Sequence, residues 1–172
     1  MACLSNLFTL PETTMTWRGS SNPSDRVFAC LMYLLPLLDV LPFSRAFFSQ
    51  FPALAVVLLP IQPLLQIYSL PFVGLIVFFA LFLLVVRNES IAHFIRFNAM
   101  QAILISIVVF LCQLLIDFLL APVLGGSLIL ETLYNVVFLG VIAAVVYSVV
   151  QSAMGRYAEI PTISNAVYMQ VR

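Results

Sequence analysis

"RNESIAHFIRFNAMQAILI" (residues 87–105) runs a charged and amidated stretch straight into an apolar one. It lies between two of the most hydrophobic segments of the chain. Arg87, Asn88, Glu89, His93, Arg96, Asn98 and Gln101 gather within it, as in a catalytic loop, a translocation site or a turnaround between two membrane helices. The flanks favour the turnaround. "FVGLIVFFALFLLVV" (72–86) precedes the block and "AMQAILISIVVFLCQLLIDFLLA" (99–121) follows it. A helix rises 1.5 Å per residue and a bilayer core is ~30 Å thick, so the second segment is a full crossing. Arg87 closes the first span, Glu89 to Phe97 lie along the interface, and Asn98 opens the next span.

The remainder of the composition agrees. The 172 residues suffice for one domain; 63% are hydrophobic and 8% charged, and the mean hydropathy is +1.15. A soluble domain draws its surface from roughly 25% charged residues, so lipid is the solvent for most of this chain. Seven arginines balance seven acids and no lysine occurs, which argues against nucleic acid as a partner. Cys3, Cys30 and Cys112 stand far apart without a Cys-x-x-Cys or Cys/His cluster, so neither disulfides nor a metal site is expected. No Ser/His/Asp or Cys/His order and no Gly-rich phosphate loop is found, and His93 is the one histidine. The sequence therefore predicts no catalytic residues, no cofactor, no metal and no enzyme.

The expected fold class is all-α: a polytopic membrane protein of four spans, at about 27–41, 70–86, 98–121 and 128–150. Together they form a membrane domain over 25–152. Residues 1–24 read as a mobile N-terminal tail and 153–172 as a polar C-terminal tail. Met15, which opens "MTWRGS", is a candidate native start, an idea that an intact mass beginning at Met1 rules out. The first span is short, ~22 Å, with Pro36 and Asp39 near its end. In "PFSRAFFSQFP" (42–52), Phe43, Phe47, Phe48 and Phe51 share one face, as in an interfacial helix. "ALAVVLLPIQPLLQIYSLP" (53–71) is broken by Pro60, Pro63 and Pro71 and reads as re-entrant or interfacial. Pro71 suits the first position of the helix that follows. Four spans put Arg18, Arg26, Arg87, Arg96, Arg156 and Arg172 on one side and Arg45 on the other. That 6 to 1 split meets the positive-inside rule with both termini inside.

At 100° per residue, Asn98, Ala102, Ser106, Gln113 and Asp117 share one face of the third span. Gly140, Ala144 and Ser148 form a small-xxx-small row on the fourth, with Gln151 and Ser152 close by. Both stripes are expected to face the bundle interior. One reading is packing, with interhelical hydrogen bonds from Asn98 and Gln113; the other is a weakly polar groove open to a polypeptide or solute. Asp39, Asp117 and Glu131 near the outer ends of spans suggest an acidic mouth for cationic cargo. Against that, Asp39 and Asp117 could pair with Arg45, and Glu131 suits a helix N-terminus.

The block "VVRNESIAHFIRFNAMQAILI" (85–105) resembles the signature of the Tic-twenty family, a four-span subunit of the chloroplast inner-envelope protein translocon with cyanobacterial relatives. Arg87-Asn88 and "HFIRFNAMQA", with Arg96, Phe97, Asn98 and Gln101, carry the likeness. It extends to the proline-broken stretch 51–88 and to "ETLYNVVFLGVIAAVVYSVVQSAMGRYAEIPTISNAVYMQV". The resemblance implies a membrane subunit of a protein translocon that provides or scaffolds a polypeptide path. Its partners would be lipid, other membrane subunits and polypeptide cargo. Its location would be a cyanobacterial plasma membrane or a plastid inner envelope. A small-solute carrier or channel and a non-transporting assembly scaffold are the alternatives. The residues to test are Arg87, Arg96, Asn98, Gln101, Ser106, Gln113 and Asp117.

Overall fold

The apolar segments are helical throughout the computed structural model, which describes residues 22–160 and 163–171. Most of the N-terminal tail, and Met15 with it, lies outside the described residues. No strand occurs among those described. The chain begins as α1 (Pro23–Met32), already within the expected tail. Asn22 is its N-cap, its backbone N–H reaching Asp25 Oδ2 at 3.1 Å, and Pro23 takes the first helical position. Those residues satisfy amides that a helix start leaves unpaired.

Pro36 cannot donate to the carbonyl four residues back, and the helix yields at Tyr33 before resuming as α2 (Leu34–Asp39). A short 3-10 turn over Leu41–Phe43 leads into α3 (Ser44–Gln50). Pro23–Asp39 and Leu41–Gln50 are one bent rod with a 44° angle. The helical segment around the expected span 27–41 is thus longer than that range, and taken as one bent span it is long enough to cross. The aromatic face of α3 is not turned to the lipid interface. Phe43 lies 5.5 Å from Tyr134, and Phe47 and Phe48 lie 5.4 and 5.9 Å from Phe138, all centroid to centroid. Phe51 alone of the four is exposed.

The proline-rich stretch forms a 3-10 helix over Pro52–Ile61 and then α4 (Gln62–Tyr68), neither with a buried residue. It meets α5 (Val73–Ala80) and its continuation Leu81–Val86 at 94°. The corner is Phe72, whose φ of 68° is left-handed, a region costly for an aromatic residue. Pro71 therefore lies in the corner, ahead of the helix, and not at its first position.

α6 (His93–Leu114) runs on through a π-type segment, Leu115–Leu120, into α7 (Ala121–Leu124). The 32-residue rod starts at His93, five residues before the expected span, so His93 to Phe97 belong to its first turns. At 1.5 Å per residue it is ~48 Å long, more than a bilayer core, and it tilts or stands proud of the lipid. Ser127 precedes α8 (Leu128–Ala153), the other helix that crosses outright. With the two bent pairs there are up to four crossings. The chain is an all-α polytopic membrane protein.

α6 is the axis of the bundle. Ala102, Ile105 and Val109 pack with Tyr33, Val40, Phe43, Phe138 and Val145. Phe97, Ala99 and Ile103 pack with Leu35, Val86, Val167 and Val171. The outer surface is apolar, with Phe110, Phe118, Val123, Leu128 and Val136 all exposed, as a lipid-facing belt must be. The C-terminal stretch is not a free polar tail. α9 (Ile163–Gln170) returns to α6 and buries Ser164 and Val167, while Val171 just beyond it is also buried.

Candidate functional site

The sequence block that opened the argument splits in the structure into a turnaround and a buried polar layer. In the turnaround, the Ser90 amide donates to Asn88 Oδ1 at 3.0 Å, a local turn of the kind asparagine favours. Arg87 is exposed. Arg96 Nε donates to the Val86 carbonyl at 2.9 Å. This oxygen is one of those left over where the second span ends, and an arginine there both bonds it and complements the helix dipole. His93 Nδ1 lies 3.2 Å from the Tyr157 hydroxyl. Phe97 is sandwiched between Tyr157 and Tyr168, with ring centroids at 4.9 and 5.0 Å. The C-terminal stretch thus closes over the turnaround.

One turn deeper, Asn98 and Gln101 are fully buried. Asn98 Oδ1 accepts from the Tyr33 hydroxyl at 2.9 Å and from Ser152 Oγ at 2.8 Å, while its Nδ2 donates to the Phe94 carbonyl at 2.7 Å. Gln101 Nε2 donates to Ser148 Oγ at 3.2 Å; its Oε1 has no partner. Three crossings are tied at one level. In a medium without water such bonds hold helices in register. Ser148 and Ser152 do face the interior, as the small-residue row implied.

Gly140 does not. It is exposed, and among the described residues a Cβ built on it meets nothing within 4 Å, so it makes no close contact with another described helix. Ala144 is half-buried. Gly140→Ala is accordingly expected to leave the unfolding midpoint of the isolated protein in detergent unchanged or to raise it, by at most ~1 kcal/mol, the usual gain from replacing a mid-helix glycine.

Further along α6 the polar stripe opens into two cavities. The first, of about 430 Å³, lies against α5 and is lined by Asp39, Tyr68, Ser106, Phe110 and Gln113 among others. The Tyr68 hydroxyl donates to Asp39 Oδ1. Gly74 makes room for it: a Cβ there would come within 3.1 Å of the Tyr68 oxygen. Ser106 is 5% exposed and its hydroxyl, a neighbour of the Asp39 carboxyl, completes no hydrogen bond of ordinary geometry. The second cavity, of about 480 Å³, brings together Arg45, Gln113, Asp117 and Tyr134. There the Tyr134 hydroxyl donates to Asp117 Oδ1 at 2.6 Å. Gln113 lines both cavities.

The expected single stripe therefore serves three environments. Asp117 departs furthest: it is exposed, and Ile116 is buried in its place. The plain helical phase accounts for this: Ile116 falls in line with Asn98, while Asp117 lies about 100° away, at the edge of the stripe. The three acids form no common mouth. Asp39 faces Tyr68, Asp117 faces Tyr134 and Arg45, and Glu131 is exposed in the first turn of α8. Arg26 borders the C-terminal end of α8 and Arg45 its N-terminal half, so the first span carries its arginines at opposite ends.

Tyr33, Tyr68, Tyr157 and Tyr168 are the participants that sequence reasoning passed over. A tyrosine in an apolar run is the available signal, because a buried hydroxyl needs a partner. Among the described residues no group of three His, Cys, Asp or Glu side chains is placed to hold a metal ion. Cys30 and Cys112 are free thiols.

A small helical membrane protein organised around one long, polar-striped helix is the class that these features define. Residues 13–167 match the family model described as "Chloroplast import apparatus Tic20-like". The chain is 50% identical over 159 residues to a Tic20 family protein of Synechocystis, covering 92% of this chain and 99% of that one. It is 34% identical to Protein TIC 20-II, chloroplastic, of Arabidopsis thaliana, over 92% of this chain and 79% of that one. It is also 32% identical to the Tic20 family protein Ycf60 of Porphyra purpurea, over 95% and 83%. The chain belongs to the Tic20 family.

Proposed function

We propose that the chain is a membrane subunit of a protein translocon and that the groove between α5 and α6 provides or borders a polypeptide path. The family to which it belongs is described by chloroplast import, and its partners on this reading are other membrane subunits and a polypeptide in transit. The observation that carries the reading is the first cavity: its lining is mostly apolar and includes the exposed Leu75 and Phe110, and Asp39, Ser106 and Gln113 add a few polar groups to it. A segment with one apolar and one polar side meets both surfaces there. The interior at the Asn98 level is closed by hydrogen bonds, which favours a lateral path over a solute channel along the bundle axis. The 6 to 1 arginine split supports termini on the cytoplasmic or stromal side, in a cyanobacterial plasma membrane or a plastid inner envelope.

Photo-crosslinking side chains at positions 107, 110 and 113, in native membranes with a polypeptide arrested in transit, test the proposal. Adducts to that polypeptide are expected. Adducts to neighbouring subunits alone would replace it with an assembly scaffold. Flux of small solutes into vesicles holding the chain alone would replace it with a carrier or channel.

A further inference from the structure

The Asp39 cavity holds one carboxyl group in a largely apolar lining. Tyr68 commits its one hydroxyl proton to Asp39 Oδ1. A carboxylate offers about four acceptor sites, more than Tyr68 and the neighbouring Ser106 hydroxyl can fill. The buried Ser106 hydroxyl, a neighbour of the Asp39 carboxyl, completes no hydrogen bond of ordinary geometry among the described residues. Gln113 supplies an amide to the lining, and no arginine or histidine among the described residues lines the space. A charged carboxylate inside a membrane domain is costly, and either a proton or a cation beside it relieves that cost.

We propose that this cavity binds one basic side chain of a polypeptide segment in the groove, a guanidinium or ammonium carried on an aliphatic stem. The volume of about 430 Å³ far exceeds the ~30 Å³ of a water molecule, which is too much room for a bare metal ion and suits a long side chain. The walls match the stem: Leu35, Leu75, Phe78 and Phe110 accept methylenes, as lysine and arginine stems lie along apolar surface while the head reaches a polar group. The inference deepens the proposed function by naming what the groove recognises, and it rests on the reading that a polypeptide occupies it.

The test uses the full chain, purified in nanodiscs, with butylguanidinium as probe and butylurea as its neutral near-isostere. Butylguanidinium is expected to raise the thermal unfolding midpoint in a saturable way, and butylurea is not. Asp39→Asn should weaken binding about tenfold or more, as befits loss of a charged hydrogen bond. Tyr68→Phe, which keeps the carboxylate and removes a competing donor, should retain it. Should Asp39→Asn not fold, Ser106→Ala serves, with a severalfold loss expected. Equal responses to the two probes, or binding undiminished in whichever of the Asp39 and Ser106 variants is read, would overturn the site. An apolar peptide with a single arginine should compete with butylguanidinium while its citrulline counterpart does not. Competition by phosphatidylethanolamine and not by the arginine peptide would overturn the occupant in favour of a lipid amine. Probe binding without polypeptide crosslinks in membranes would leave the cation site standing and remove the translocon reading. Crosslinks without probe binding would remove only the cation site.

Discussion

Asn98→Leu is expected to destabilise the protein more than substitution of any other polar side chain in the bundle. Asn98 serves Tyr33, Ser152 and the Phe94 carbonyl at once. Leucine fills comparable space but leaves two buried hydroxyls without an acceptor. At about 1 kcal/mol or more for each stranded group, the loss is roughly 2–3 kcal/mol, while the average for interhelical bonds in membranes, ~0.6 kcal/mol each, sets the low end. The measurement is an unfolding titration in mixed detergent, run as a cycle with Ser152→Ala. In the wild-type background Ser152→Ala should cost stability; in the Asn98→Leu background it should cost little, because its partner is already gone. Equal costs in both backgrounds would mean that the two side chains do not act together.

Phe97→Ala carries the second large effect. Phe97 is fully buried and lies between two tyrosines that belong to the C-terminal stretch. Removing a buried phenyl ring typically costs ~3–5 kcal/mol. Here the loss falls on the contact that holds α9 over the turnaround, so the variant should become sensitive to proteolysis within residues 157–171. Phe118→Ala removes the same atoms from a ring 79% exposed on the outer surface and should change neither stability nor cleavage by a comparable amount. Similar behaviour of the two variants would show that the C-terminal stretch is not held through Phe97.

The helical membrane fold was legible because composition alone excludes a water-facing surface, and because the third and fourth spans are long uninterrupted apolar runs. The second half of the chain reads most directly for that reason. The first half is harder. Prolines at 36, 42, 60, 63 and 71 break the hydrogen-bond ladder at known points, but they do not fix the angle at which the pieces meet. A 94° corner made by a left-handed Phe72 leaves no mark in a hydrophobicity pattern. The site was legible in part. Asn98 and Ser106 are buried as the stripe requires, whereas Asp117, at the edge of that stripe, is exposed. The C-terminal stretch read as polar because its average hydropathy is modest. Val167, Tyr168 and Val171 nevertheless place enough apolar surface on one side to dock on α6. The pairing of Tyr68 with Asp39 joins residues 29 positions apart across a bend, and sequence spacing carries no signal for such a contact.

The most direct measurement compares photo-crosslinking from Gln113, on the lining of the groove, with crosslinking from Ser148, inside the closed polar layer, against the same arrested polypeptide. The account predicts an adduct to the polypeptide from position 113 and none from position 148. Adducts from 148 and not from 113 would contradict it and place the path through the bundle interior.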